Sequence, residues 1–274
     1  GDGAKQSSES FDKETTISWS NTHDRVWLDS RIWANPMEDW RVVNGAAECQ
    51  TSGGNRNLHL ITHQWMKLDG SADMLVSLQR VGGQKKGAGA GFRIGTRSEL
   101  NEYRSNCFAN GGINAGVVED RLALGRKTGT RTIDIDQETI LELKARPQNG
   151  QIKLALTAKT LSGELIDEVT ERVPPQAVLG NVSLVNNFDS KLKKGQGGRY
   201  RFKNWSVAGN AFAVEPSRKF GPILWSMYSL SDSRSDEGFV LKISALTGPL
   251  GDKDSHSVEL QVNLDDKWMS MGTA

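Results

Sequence analysis

G-R-Y-R-F-K-N-W-S-V-A-G, residues 198–209, follows L-G-N-V-S-L-V-N-N, residues 179–187, after a short step rich in glycine and lysine. In the later stretch Tyr200, Phe202 and Asn204 alternate with Arg201 and Lys203, and Trp205 and Val207 follow. A period of two describes a strand with one buried face and one wetted face, so Tyr200, Phe202 and Asn204 are expected to look into a core. Two such segments late in a chain of similar short runs are how a two-sheet β-sandwich closes on itself. The pair speaks of architecture rather than of a catalytic loop.

Outward from that pair, helical periodicity is nearly absent and strand-like runs recur. They cover Ile17 to Trp19, Trp40 to Val43, Ala46 to Cys49, Leu58 to Thr62, Ala72 to Arg80, Gly89 to Gly95, Tyr103 to Phe108 and Ile113 to Val118. Further runs are Arg121 to Gly125, Ile140 to Arg146, Gln151 to Thr157, Leu165 to Val169, Val182 to Asn187 and Tyr200 to Ala208. Turn residues separate them at roughly the 8–12 residue spacing of a sandwich. The clearest hairpin runs from Leu141 to Leu156, where L-E-L-K-A-R alternates, P-Q-N-G turns and I-K-L-A-L-T alternates back. Asn149-Gly150 supplies the positive φ angles of a tight turn. The reading is all-β: a jelly-roll sandwich over residues 16–209, with residues 1–15 as a flexible tether, 210–222 as a linker and 223–274 as a short, incomplete immunoglobulin-like β-sandwich.

That last part rests on I-L-W-S-M-Y-S-L, F-V-L-K-I-S-A-L and S-V-E-L-Q-V-N-L, three strand patterns that would bury too little to stand alone. The final W-M-S-M-G-T-A shows neither a helix cap nor a strand partner, so the tail is expected to be the opening of a longer domain.

Composition narrows the function. The chain has 274 residues, 34 basic against 33 acidic side chains and a formal charge of +1, so no bulk field draws it to nucleic acid or an anionic membrane. No run approaches the ~18 apolar residues of a membrane helix. Eight Trp and 29 Gly suit a loop-rich β protein whose indoles need hydrogen-bond partners. The polar start G-D-G-A-K-Q-S-S-E-S points to an exported protein, periplasmic or at the cell surface, lipid-anchored forms included. Cys49 and Cys107 lie in separate strand runs and read as buried free thiols; a disulfide would require those strands to be neighbours.

Four constellations carry candidate chemistry. His59 and His63 have helical zinc spacing, but on a strand their imidazoles stand about 13 Å apart, so packed histidines are the expectation. Asp134, Asp136 and Glu138 resemble the carboxylate spacing of jelly-roll glycoside hydrolases and polysaccharide lyases. They depart from it in having Asp rather than Glu first and Gln137 in the fourth place, and residues in this position more often serve turns and strand entry. Glycines 87, 89 and 91 mimic a phosphate loop, yet a strand follows instead of a helix, so a packing face beneath an indole is expected. Trp27, Trp33 and Trp40 with Asp29, Arg31, Asn35, Asp39, Asn55, Arg56, Tyr103, Arg104 and Asn114 have the composition of a sugar groove, or of a Trp-rich core with a polar rim. No cofactor is called for; Asp29 and Asp39 offer oxygens for a structural calcium, although no dense acidic loop surrounds them.

The two-layer reading resembles concanavalin-like and laminin-G-like sandwiches. Three pairs of segments resemble the N-terminal region of PhoD-like, alkaline-phosphatase-D-type metallophosphoesterases. They are W-L-D-S-R-I-W-A-N-P-M-E-D-W-R-V-V-N-G with G-N-R-N-L-H-L-I-T-H, G-A-G-F-R-I-G-T-R-S-E-L-N-E-Y-R-S with G-G-I-N-A-G-V-V-E-D-R-L-A-L-G, and G-P-I-L-W-S-M-Y-S-L with L-K-I-S-A-L-T-G-P-L-G-D-K-D-S-H-S-V-E-L-Q-V. The resemblance implies a lectin-like sandwich, a small β-sandwich after it and a downstream catalytic domain as partner. The metal-binding Asp, Asn and His clusters of that domain are not found in this sequence. The chain is accordingly expected to be a non-catalytic accessory region that binds a glycan or positions an enzyme; the alternatives are the hydrolase or lyase and a ligand-free spacer. Trp33, Arg56, Arg93, Tyr103 and Arg104 are the expected ligand contacts, rings for stacking and guanidinium groups for bidentate hydrogen bonds.

Overall fold

The structure, a computed structural model, describes residues 14–232, 236, 238–250 and 254–274; the tether expected over residues 1–15 lies outside them except for its last two positions. In chain order the first strands are β1 (Thr15–Ile17), β2 (Ile32–Asn35), β3 (Trp40–Val43), β4 (Ala46–Cys49), β5 (Arg56–Trp65), β6 (Ala72–Gly83) and β7 (Gly89–Thr96). A single helical turn, α1 (Tyr103–Asn106), precedes β8 (Ile113–Val118), β9 (Arg121–Leu124), β10 (Lys127–Thr128), β11 (Thr139–Gln148), β12 (Gln151–Lys159) and β13 (Leu165–Val173). Then come β14 (Gly180–Asn186), β15 (Gly198–Ala208), β16 (Phe212–Val214), β17 (Ile223–Asp232), β18 (Phe239–Thr247), β19 (Glu259–Leu264) and β20 (Lys267–Thr273).

Two antiparallel eight-stranded sheets make an all-β jelly-roll sandwich. One runs β13-β12-β11-β6-β15-β4-β3 with β1 beside β15; the other runs β10-β9-β8-β7-β14-β5-β16 with β2 beside β5. Residues 179–187 and 198–209 supply strands in the middles of opposite sheets, β14 in the second and β15 in the first. Between the layers Trp19, Trp40, Trp65, Trp205, Tyr200, Phe92, Phe202 and Phe212 are fully buried. Trp19 Nε1 donates to the Leu28 carbonyl at 3.2 Å, whereas the indole nitrogens of Trp40, Trp65 and Trp205 find no acceptor.

The two-residue period holds along β15 with one interruption. Tyr200 and Phe202 face the core, but Asn204, expected beside them, is exposed with φ 52° at a register shift against β6. That left-handed residue is a bulge, and it returns Trp205 and Val207 to the buried face. The β11–β12 hairpin forms as read, with Gln148 paired to Gln151 around Asn149 (φ 53°) and Gly150 (φ 75°). Pro147 sits beyond the last β11–β6 pair, at Ala145, so its missing N–H breaks no ladder there.

Other expectations are corrected. Tyr103 to Phe108 is not a strand: the Glu102 carboxylate accepts the backbone N–H groups of Arg104 at 3.1 Å and Ser105 at 3.2 Å and caps a helical turn. The stretch read as a linker contributes β16, which pairs with β5 and buries Phe212 against Trp65, ring centroids 5.5 Å apart. Trp268 to Thr273, read as unpartnered, lies in β20 against β19. Where a partial immunoglobulin-like sandwich is expected, the described residues form two separate two-stranded ladders, β17–β18 and β19–β20. Too few apolar residues meet there to exclude water, and Tyr228, Phe239 and Trp268 remain 77%, 74% and 67% exposed. Trp27 packs edge-on against Phe220 at 5.2 Å, and Asp254 reaches His23 at 2.7 Å, so the sandwich touches the region that follows it.

Candidate functional site

On β7 Phe92 and Ile94 point into the core, which turns Arg93 to the outer face of the second sheet. Ladder register carries that outward row across neighbouring strands: Trp33 opposes His59, His59 opposes Ser183, Ser183 opposes Arg93, and Arg93 opposes Asn114. The loop containing α1 folds over part of this row. Asn181 Nδ2 donates to the Tyr103 carbonyl at 2.9 Å and approaches His59 Nδ1 at 3.4 Å, while Asn106 Nδ2 donates to Asn181 Oδ1 at 3.1 Å. Asn35 Nδ2 donates to the Cys107 carbonyl at 3.0 Å. His59 is 2% exposed, and burial, with Arg93 nearby, lowers its pKa to about 3.

Where the covering loop ends, a groove of about 210 Å³ remains. Asn55, Arg93, Asn114 and Phe188 line it from the sheet side, and Asn110 to Gly112 and Ser190 from the flanking loops. Arg93 organises it. Its Nε donates to Asn114 Oδ1 at 2.7 Å, one terminal nitrogen to Asn55 Oδ1 at 2.5 Å and the other to the Phe188 carbonyl at 3.2 Å. Asn55 holds its amide there from a left-handed backbone, φ 54°, which Asn tolerates better than most residues. Close backbone approach shapes the walls. A Cβ on Gly112 would stand 2.6 Å from the Ile94 carbonyl oxygen and 3.1 Å from Arg93 Cγ, and one on Gly89 would stand 3.0 Å from the Phe188 ring. The alternating glycines therefore admit a phenylalanine ring and the paired strand β8, not an indole: a Cβ on Gly91 would lie 2.6 Å from the Ala115 carbonyl oxygen.

The five expected contacts scatter. Arg93 alone lines the groove. Trp33 lies in an aromatic cluster with Phe220 at 5.5 Å and Phe108 at 6.2 Å. Tyr103 lies beneath the Arg218 guanidinium at 4.3 Å, Arg104 is exposed and paired with Glu102, and Arg56 is bound to Asp39 at 2.9 Å. Of the residues that do line the groove, Asn55 and Asn114 were in the sugar-type constellation; Phe188, Ser190, Asn110 and the Gly111-Gly112 pair were missed. Their signals were the N-F-D-S turn after β14 and the doubled glycine before β8.

The remaining candidates sit in other settings. Asp136 accepts from Arg80 at 2.7 Å and has Lys85 at 3.8 Å; Glu138 accepts from Ser77 and from Lys203 at 3.2 Å. Hydrogen bonds and cations hold both carboxyls below the usual range, against the opposing effect of burial. A general acid needs the reverse shift. Asp29 is chelated by Arg31, with Oδ1 and Oδ2 each at 2.8 Å from a guanidinium nitrogen. Among the described residues no group of three or more His, Cys, Asp or Glu gathers as metal ligands. His63 bonds Thr62 Oγ1 through Nδ1 at 2.9 Å. Both cysteines are free and buried.

No protein-family model and no curated protein matches the chain. Among solved structures, basic winged bean lectin with Tn-antigen is similar at 12% identity and TM-score 0.49, over 72% of this chain and 98% of that one. A lectin from Bauhinia forficata in complex with GalNAc gives the same four values. Peanut lectin with a nine-residue peptide is similar at 8% identity and TM-score 0.45, over 74% of this chain and 100% of that one. The sandwich itself is established by its own ladders.

Proposed function

We propose that this chain is a glycan-binding β-sandwich that does no chemistry of its own, with its site in the groove around Arg93. One observation carries the reading: Asn55, Asn114, Phe188 and a guanidinium fixed by hydrogen bonds line a single concavity. Planar polar groups beside an aromatic face are what hydroxyl-rich, C–H-faced sugars require. At about 210 Å³ the groove is smaller than the ~300–1,000 Å³ of drug-sized pockets, so one sugar unit enters and the remainder of an oligosaccharide stays outside. The role as an exported accessory region beside a phosphoesterase domain is supported by the three pairs of segments quoted above; reading the gene beyond Ala274 tests it.

Binding is tested by titrating the full chain with a panel of oligosaccharides while following amide chemical shifts. Shifts are expected at Asn55, Arg93, Asn114 and Phe188, and Phe188→Ala should abolish them while leaving the melting temperature within a few degrees of wild type. A panel with no binder makes the chain a spacer.

A further inference from the structure

Arg93 is the one arginine or lysine among the described residues that is buried, at 8% exposure. Four less buried arginines have carboxylate partners: Arg31 with Asp29 at 2.8 Å, Arg56 with Asp39 at 2.9 Å, Arg80 with Asp136 at 2.7 Å and Arg199 with Glu48 at 3.0 Å. Arg93 has no ion pair among the described residues; its three hydrogen bonds end on two neutral amides and a backbone carbonyl. A buried charge without a counter-ion opposes folding, and burial correspondingly lowers the pKa of this guanidinium. No Asp or Glu lines the groove that it faces.

A guanidinium only donates, so the atoms that Asn55 and Asn114 turn toward Arg93 are amide oxygens. Asn55 Oδ1 also accepts from Asn57 Nδ2 at 3.3 Å, so that amide has only its N–H groups to offer a ligand, while Asn114 offers its N–H groups beside one remaining lone pair. Arg93 keeps two of its five N–H groups beyond the three bonds it makes. The loop that carries Phe188 and Ser190 adds Lys191, Lys193 and Lys194, all exposed, against Asp189 alone. The groove is thus lined by donors and by no carboxylate, and the loop that borders it carries a net positive charge.

We infer that the groove selects an acidic sugar, the buried Arg93 taking the anionic oxygens of a carboxylate or sulfate group while the Asn55 and Asn114 amides donate at either side. This rests on the glycan-binding reading of the same groove and names its ligand class. Charge-assisted bonds of this kind are shorter and stronger than those between neutral groups.

Calorimetry on the full chain decides it with four probes: an oligogalacturonate, a sulfated oligosaccharide, a neutral oligosaccharide of the same length, and sodium acetate or sulfate alone. One of the acidic oligosaccharides should bind at least about tenfold more tightly than the neutral one, more weakly as salt rises, and lose about tenfold or more in Arg93→Gln. Preference for galacturonate over the sulfated chain, or the reverse, identifies which anion the site takes. Equal binding of neutral and acidic chains overturns the selection while leaving the glycan reading intact; no binding of any chain overturns both. Acetate or sulfate binding as tightly as an oligosaccharide overturns the sugar and retains the anion. If Arg93→Gln fails to fold, the exposed triple variant Lys191→Gln, Lys193→Gln, Lys194→Gln replaces it. Its affinity for the acidic chain should fall about threefold with a shallower salt dependence, and an unchanged affinity and slope would count against the charged rim.

Discussion

Asn186 and Asn187 close β14 and fasten it to the start of β15. Asn187 Nδ2 donates to the carbonyls of Ser52, Gly53 and Gly198 at 3.1, 3.0 and 2.9 Å, its Oδ1 accepts the Gly198 N–H at 3.0 Å, and its φ is 62°. Asn187→Ala leaves those backbone groups unpartnered in a buried place and should cost about 2–4 kcal/mol, seen as a lower urea midpoint. The histidines set a pH dependence. Burial holds His59 at about 3 and His63 at about 4, below the ordinary value of 6.5. Their stabilising contribution is complete above pH 6.5; as pH falls the unfolded chain takes up protons that the folded one refuses, and the contribution is gone below the folded values. Stability should therefore drop between pH 6.5 and 4 by up to about 1.4 kcal/mol per pH unit for each histidine. Urea titrations at pH 7 and pH 5 check this, and His59→Asn should remove about half of the slope. An unchanged midpoint at pH 5 would refute it.

At the scale of elements, the strands were legible wherever two neighbours imposed the period of two, as along β6, β11, β12 and β14. β2 and β16 were missed because each is short and joins β5 only through contacts distant in sequence. The turn at Tyr103 looked extended because Y-R-S-N-C-F alternates, yet the carboxylate of Glu102 offers the backbone a local helical cap, and Asn181 on β14 then pins the result. Asn181→Ala should leave the sandwich folded while speeding amide exchange in residues 103–108, the signature of a released loop. The β7–β8 seam is less forgiving. A Cβ on Gly116 would come within 2.0 Å of the Ala90 carbonyl oxygen, so Gly116→Ala must push the strands apart and should cost about 1–3 kcal/mol, read as a drop of several degrees in melting temperature.

For the whole molecule, the layers keep the cysteines in separate surroundings: Cys49 in the first sheet and Cys107 in the loop over the second, both pushed up to about 12 by burial. A thiol reagent should label neither in the native state and both after unfolding; labelling at native pH would mean that one of these sites opens readily. The all-β character, the central hairpin and the buried tryptophans were written in the chain itself, because side-chain alternation and turn chemistry are local properties that any short window displays. Which polar residues meet was not. Asn55, Arg93, Asn114 and Phe188 lie on four separate segments, and only ladder register across β14, β7 and β8, with the loops that this register positions, brings them around one groove. Trp33, Tyr103, Arg104 and Arg56 have the same chemistry in the sequence and go elsewhere, since the face on which a strand presents a side chain, and the loop that covers it, are settled by long-range pairing.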